Sequence, residues 1–466
     1  AAPGTYAVVL TASNLTGRAG ATATVTVVAQ PIHYVSPAGA HVAPFASWAN
    51  AATTIQAAVE AATVTGALVF VTNGTYETGS VSGYGGMAAR VAIFKPVEVR
   101  SVNGPEATAI RGQGSMRAVY MAGATKLTGF TVRDGATAAK MDGGGIYCAG
   151  ADAVISNCVV TGCRAEYDGG GIVGGTAFGS RFESNSAGVN GGGTKSAKLV
   201  DCMVRSNHAG FGGGTFGGQM ERCEIANNSA SNEGGGAGGG TFERCALRDN
   251  AAGGPGGGVF RGTLRSSLVC SNYSAEDAGG AYQGALYNCT VVGNATMGAG
   301  GGTVESLVAN SIVYYNRGRT GANYVRGTIR NTCATPLAEG VGNFAEPPGI
   351  QSFANPRLLP GSPCIDAGEA GSWTSGTLDL AGRARTSGAA PDAGAFEFHA
   401  GAQTNELAAR VWARWTTVAE GHPVPFRAEI DGDATGYGWT WGDGTAGTTN
   451  DPAPVHAFAT AGTYAV

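Results

Sequence analysis

Apolar and small polar positions recur through the middle of this chain at a fixed period. One column holds Cys158, Ser180, Cys202, Cys223, Cys245, Ser267, Cys289, Ser311 and Cys333, evenly spaced except for one step, Cys202 to Cys223, that is a residue shorter than the others. Two residues after it runs an apolar column: Val160, Phe182, Val204, Ile225, Leu247, Val269, Val291 and Val313. Three residues before it runs another: Ile155, Ala177, Leu199, Met220, Phe242, Leu264, Leu286 and Val308. Five residues after it comes Asn185, Asn207, Asn228, Asn250, Asn272, Asn294 and Asn316, with Cys163 at that place in the first repeat.

Inward positions two residues apart have strand spacing. A fixed period of roughly 20 to 50 residues marks a solenoid whose repeats stack on one another. Two amphipathic helices do not fit into so short a repeat, and the glycine runs would weaken them. The spaced leucines of leucine-rich repeats are missing. The pattern therefore predicts an all-β chain built as a parallel β-helix, with eight or nine coils over residues 142–333. The asparagines are expected to face inward at one turn and to bond to backbone and to each other, because a buried polar group left unpaired costs about 1–3 kcal/mol. Asn272 and Asn294 also open glycosylation sequons, but an inward asparagine cannot carry a glycan. The short step is expected to be taken up in the loop 208–211. The glycine runs (143–145, 169–171, 191–193, 212–214, 234–236, 256–258, 279–280, 300–302) read first as corners needing φ > 0, and second as a bare face that another chain or sheet can approach.

The ends of the solenoid need covering, since an open sheet edge invites pairing. A helix expected over 47–62, with Ile55, Val59 and Ala62 on one face, is the candidate cap. Strands are expected at Tyr34, at 68–76, at 97–102 and at 130–132.

Composition narrows the function. Charged residues make up 13% of the chain and the net charge is −4, without a basic cluster, so no nucleic-acid or anionic-membrane partner is expected. No apolar stretch reaches the roughly 18 residues of a membrane span. The chain does not start with Met, and it reads as a mature piece or a segment of something longer. Six of the ten cysteines share one column, where parallel neighbours aim their Cβ atoms alike; free buried thiols are expected. No Cys-x-x-Cys pair occurs and the histidines are scattered, so neither a metal nor a cofactor is expected.

HYVSPAG (33–39), TTIQAAVEAA (53–62) and FVTNGTY (70–76) resemble the opening module of right-handed parallel β-helix proteins of the pectin-lyase-like superfamily. GGGI at 143–146 and 169–172, with FESN at 182–185, resembles the repeats of polymorphic outer-membrane adhesins. LLPGSPCIDAG (358–368), DLAGR (379–383) and PDAGAFE (391–397) resemble the closing module of bacterial β-helices of the choice-of-anchor type. WTWGDGT (439–445), HAF (456–458) and GTYAV (462–466) resemble a polycystic-kidney-disease (PKD) domain, an immunoglobulin-like sandwich. Residues 3–14 and 22–28 resemble the last strands of the same sandwich, and GTYAV recurs at 4–8. The resemblances imply five segments: partial PKD strands (1–30), opening coils and cap (31–140), regular coils (141–345), closing module (346–400) and a partial PKD domain (401–466).

Many members of that superfamily cleave polysaccharides, which takes paired or clustered carboxylates. The Asn-Thr-Asp, Asp-Asp, Gly-His-Gly and Arg-Ile-Lys motifs of its galacturonan hydrolases do not occur here. Glu221 and Glu243 stack on successive repeats beside Arg222 and Arg244 and read as alternating surface charges. Asp366, Asp379, Asp392 and Glu397 invite a calcium reading, but Arg383 and Arg385 nearby favour internal ion pairs. No catalytic residue is assigned. The expected function is a non-enzymatic structural protein outside a bacterial cell, joined head to tail to copies of itself, either as one long tandem chain or by strand donation. Its junction is expected at Gly4, Thr5, Tyr6, Val8, Trp439, Trp441, Asp443 and Tyr464. One alternative is an adhesin for glycans or surfaces, which would need a row of exposed aromatics of which Tyr287, Tyr314 and Tyr315 are the candidates. The other is a glycan-cleaving enzyme.

Overall fold

Inward and outward side chains alternate along each short strand, and each repeat closes into one coil. The computed structural model describes residues 2–14, 17–84, 86–138, 140–371, 377–399, 408–413, 420–421, 423–431, 438–447 and 454–464. It is all-β, about 2% helical, with a β-solenoid of about ten turns. Three sheets of 23, 12 and 7 strands run along the solenoid, parallel except where Val81–Tyr84 turns back on Met87–Ile93. Ile155 pairs in register with Ala177, and the column continues coil by coil to Val308. The column from Val160 to Val313 pairs in the same way. Both columns are buried and form one continuous apolar core.

Ser186 pairs with His208 at the regular step, whereas Asn190 pairs with Phe211 at a step one residue shorter. The short step is therefore absorbed between His208 and Phe211. The glycine runs serve both purposes considered above, though the close neighbour is the next coil of the same chain. Gly169 has φ +65°, and a Cβ on Gly170 would lie 2.2 Å from the Ser186 carbonyl oxygen.

The helix α1 is shorter than expected, Ile55–Ala61, with Thr54 as its N-cap accepting from the Ala57 amide at 3.3 Å. The residues before it are held elsewhere. The amide of Ala52 donates to Tyr34 O and its carbonyl accepts from Ser36 N (2.9 and 2.8 Å), so residues just ahead of the helix cover the edge of the strand Ile32–Val35. Ile55, Val59 and Ala62 are buried as their spacing implies.

The column of small residues ends differently from its periodicity. The amide of Ser311 donates to Thr332 Oγ1 at 3.3 Å, so Thr332 takes the last inward place. Cys333 instead pairs with Ile312 and faces outward. This corrects the assignment of Cys333 to the column. The last step, like the one after Cys202, is a residue short.

The closing module lies along the outer face of the twelve-stranded sheet. Leu358, Cys364 and Ala393 pack there on Leu268, Cys270, Val292, Ile312 and Cys333. The amides of Gly394 and Ala395 donate to Asn310 O and Thr290 Oγ1, both at 2.9 Å. Near the N-terminus, Gly4–Asn14 and Gly17–Val27 form an antiparallel hairpin. Near the C-terminus, the strand Pro423–Asp431 pairs antiparallel with Ala408–Ala413 and with Val455–Ala457. No helix among the described residues is long and apolar enough to cross a membrane.

Candidate functional site

The predicted ladder residues lie inside the coils, no more than 5% exposed. From Asn185 to Asn294, each asparagine donates its backbone N–H and its Nδ2 to the Oδ1 of the next, at 2.9–3.1 Å. Each Nδ2 also donates to a strand carbonyl of the preceding coil, as Asn250 does to Ile225 O at 2.9 Å. Cys163 N starts the ladder on Asn185 Oδ1, and Asn323 ends it by accepting from Asn316. Asn323 escaped the sequence reading because it follows Asn316 too closely, off the period.

The small column works by the same exchange. The amides of Cys158, Cys245 and Cys289 donate to Ser180, Ser267 and Ser311 Oγ, and Cys223 N donates to Cys245 Sγ. The position needs a small side chain whose heteroatom accepts one amide and donates to a carbonyl, which Cys and Ser both provide. All ten cysteines are buried. Burial pushes the thiols of Cys148, Cys163 and Cys289 up to about 12 and that of Cys158 up to about 11, which keeps them protonated and poorly nucleophilic.

The candidate acids do other work. Glu221 accepts from Arg244 at 2.8 Å and from Arg222, while Arg222 also pairs with Asp201 at 2.6 Å. Glu243 sits between Arg244 and Arg265, with burial pushing its carboxyl upward. In the closing module the carboxylates accept backbone amides. Asp379 takes those of Arg383 and Glu397 (2.7 and 3.0 Å), Asp392 those of Asp366 (2.7 Å) and Phe398, and Glu397 those of Ser387 and Asp392 (2.8 and 3.0 Å). Arg385 lies buried among them, its own charge disfavoured by desolvation. These carboxylates staple an irregular backbone, with the Arg385 charge among them. Among the described residues no group of three or more His, Cys, Asp or Glu is arranged to hold a metal ion.

A row of outward aromatics on the long sheet was missed. Tyr120, Tyr147, Val173, Lys195, Phe216, Gly238, Phe260, Tyr282, Val304 and Val325 pair in register. From Tyr147 on, most lie two residues after a glycine run, which is the signal that could have found them. Tyr120 stacks on Tyr147 (6.1 Å, 13°) and Phe260 on Tyr282 (5.6 Å, 7°). Arg117 lies over Tyr147, Lys195 over Phe216 and Arg261 over Phe260, at 4.5–4.8 Å. These stacked pairs and cations link one coil to the next along the row. Tyr287 lies under Arg265, and Tyr314 and Tyr315 make an edge contact with each other.

The junction residues fall into two groups. At the C-terminal end Trp439 and Trp441 stack at 5.3 Å and pack with Val424, Phe426 and Phe458. Asp443 accepts from the Thr445 hydroxyl and amide (2.6 and 3.0 Å) and contacts His456 Nε2 at 2.8 Å, and the His456 ring stacks on Trp441. These bonds, Thr445 first and His456 second, bring the Asp443 carboxyl down to about 2. Residues 408–466 match the PKD domain family. Within this PKD segment Tyr464 stacks on Phe458 at 4.5 Å and donates to Thr460 O.

In the N-terminal hairpin Gly4, Tyr6 and Val8 lie on one face, opposite Val27, Val25 and Ala23, while Thr5 and Val9 lie on the other with Thr22, Thr24 and Thr26. One face is apolar and the other lined with threonine. Tyr6, Val8 and Val25 on the apolar face are 41%, 56% and 48% exposed. Tyr6 donates to Ala2 O, four residues back, as Tyr464 does to Thr460 O.

Solved structures similar to this chain include pectate lyase Pel9A, at 16% identity and a TM-score of 0.44 over 78% of this chain and 96% of that one. A rhamnogalacturonan lyase follows at 14% identity and a TM-score of 0.35 over 69% and 90%. The Dettilon tailspike protein stands at 12% identity and 0.36 over 64% and 68%. No curated protein matches the chain.

Proposed function

We propose that this chain is a non-enzymatic structural module of the extracellular space, on a bacterial surface, which joins copies of itself head to tail. The carrying observation is the bare apolar face of the N-terminal hairpin, built around Tyr6, Val8 and Val25. A two-stranded hairpin alone is at best marginally stable in water, so this face needs a partner. The partner we infer is the PKD sheet of a neighbouring copy. Supporting it, the hairpin begins with the pentapeptide that runs through Tyr464 in the PKD segment, and both tyrosines make the same bond four residues back. A contact between two different surfaces propagates into an open filament unless its rotation closes a ring. The ladders between the ends support a stiff spacer, and the PKD match supports an extracellular setting.

Electron microscopy and analytical ultracentrifugation of the purified chain test this. Head-to-tail strings that fall apart in Val8→Asp are expected. A compact monomer whose hairpin is protected from hydrogen exchange would mean that the hairpin closes onto its own chain, and would overturn the assembly. The non-enzymatic part is tested separately on pectin-like glycans. Shortened or unsaturated products that disappear in Glu221→Gln or Glu243→Gln would overturn it.

A further inference from the structure

Cys333 stands apart from the thiols of the inward column. Cys158, Cys202, Cys223, Cys245 and Cys289 follow one another along stacked parallel coils, where Cβ atoms of neighbours point the same way. A disulfide needs two Cβ atoms approaching each other to about 3.8 Å. The slip that puts Thr332 into the column turns Cys333 outward, into the layer between the last coil and the closing module. There it meets Cys364, which comes from the opposite side of that layer. Both are fully buried in one cluster, and the neighbouring Cys333, together with burial, holds the Cys364 thiol well above the usual range. The backbone around Cys364 is fixed on its own side, its carbonyl accepting from Ala393 N at 2.9 Å.

We propose that Cys333 and Cys364 form a disulfide that pins the closing module to the last coil. Each thiol loses its proton and the pair gives up two electrons as the S–S bond forms. The electrons pass to a disulfide oxidant, oxidised glutathione or a protein disulfide, through a mixed-disulfide intermediate. Both sulfurs are sealed in the docked state, so the bond forms during folding, before the segment around Cys364 settles on the sheet. The bridge closes a loop of about 30 residues, long enough for a substantial restriction of the unfolded chain. This inference does not depend on head-to-tail assembly.

The test uses the full chain, refolded in a buffer of reduced and oxidised glutathione, then denatured without reductant and alkylated. Mass spectrometry is expected to find eight of the ten cysteines alkylated and one cross-linked peptide pair containing Cys333 and Cys364. Reducing the wild type should lower its Tm by several degrees and leave Cys364→Ser unchanged, and in that variant all nine remaining cysteines should be alkylated. Ten alkylated cysteines in the wild type, or a cross-link joining two members of the inward column, would overturn the proposal.

Discussion

Asn250 and Tyr6 show two ways in which β-structure finds a neighbour. Asn250 sits in the middle coils, where the same chain supplies the coil before and the coil after, and the side chain's Oδ1 and Nδ2 are bonded within that stack. Tyr6 sits in a hairpin whose apolar face has no such cover among the described residues, and is itself 41% exposed. Tyr464, in the same pentapeptide, lies against Phe458. The solenoid is complete in itself, while the hairpin has a hydrophobic side left to bury. Stability should therefore be concentrated in the coils, and association at the ends.

The sharpest way to break that division is Asn250→Leu. It strips the partner from the Asn228 amide and from one Asn228 Nδ2 hydrogen, both buried, and removes one donor from the Ile225 carbonyl. At about 1–3 kcal/mol for each buried group left unpaired, the loss should reach about 3 kcal/mol or more. Chemical denaturation should read it as a lower midpoint. Val8→Asp should do the reverse, leaving the coils' denaturation midpoint where it was. It should weaken association by about a hundredfold, or about 2.8 kcal/mol, as measured by sedimentation. If the coils are destabilised as well, the two regions are not separate.

Two carboxyl groups sharpen the comparison with opposite signs. Burial raises Glu397 in the closing module from 4.5 to about 7. Between those values the native state binds more protons than the unfolded one, so stability falls as pH rises through the window and levels off above it. Asp392 is raised for the same reason and adds in the same direction. Asp443 is lowered to about 2, so its contribution is intact above the ordinary carboxylate range and is lost only as pH falls from about 4 toward 2. From pH 5 to 8 the closing module should loosen while the PKD segment does not change, and Glu397→Gln should flatten the trend. Hydrogen exchange over 377–399 and 438–447 would measure both. The smallest effect is expected from Phe260→Ala, which removes one stacked pair of the outer row and should cost about 1 kcal/mol by denaturation.

Periodicity made the coils legible, because a column of like residues at constant spacing has few other physical explanations. It failed where the chain leaves the period. Cys333 fits the regular step, but the last step is one residue short, and only the bond from Ser311 to Thr332 reveals it. The helix looked longer than it is because the alanines of 47–54 suit a helix equally well, while the bare strand edge at 32–35 competes for their backbone. That the acids of the closing module accept backbone amides was hidden, since nothing in a sequence marks which amides an irregular loop leaves to be satisfied. The outer aromatic row was hidden by its interruptions at Val173, Lys195 and Gly238. The hairpin was visible through the likeness of residues 3–14 and 22–28 to the last strands of the sandwich and through the repeated GTYAV, but which of its faces is apolar depends on register.

The asparagine column also has a direction. Every link passes its hydrogens toward the C-terminal coil, so seven amide dipoles line up, with a donor exposed at one end and an acceptor at the other until Cys163 and Asn323 terminate them. Because each link is identical, cutting out the residues between two asparagines leaves a donor facing the same kind of acceptor, and the column heals. A chain of this design can change its reach in increments of one coil, about 4.8 Å, without altering either end.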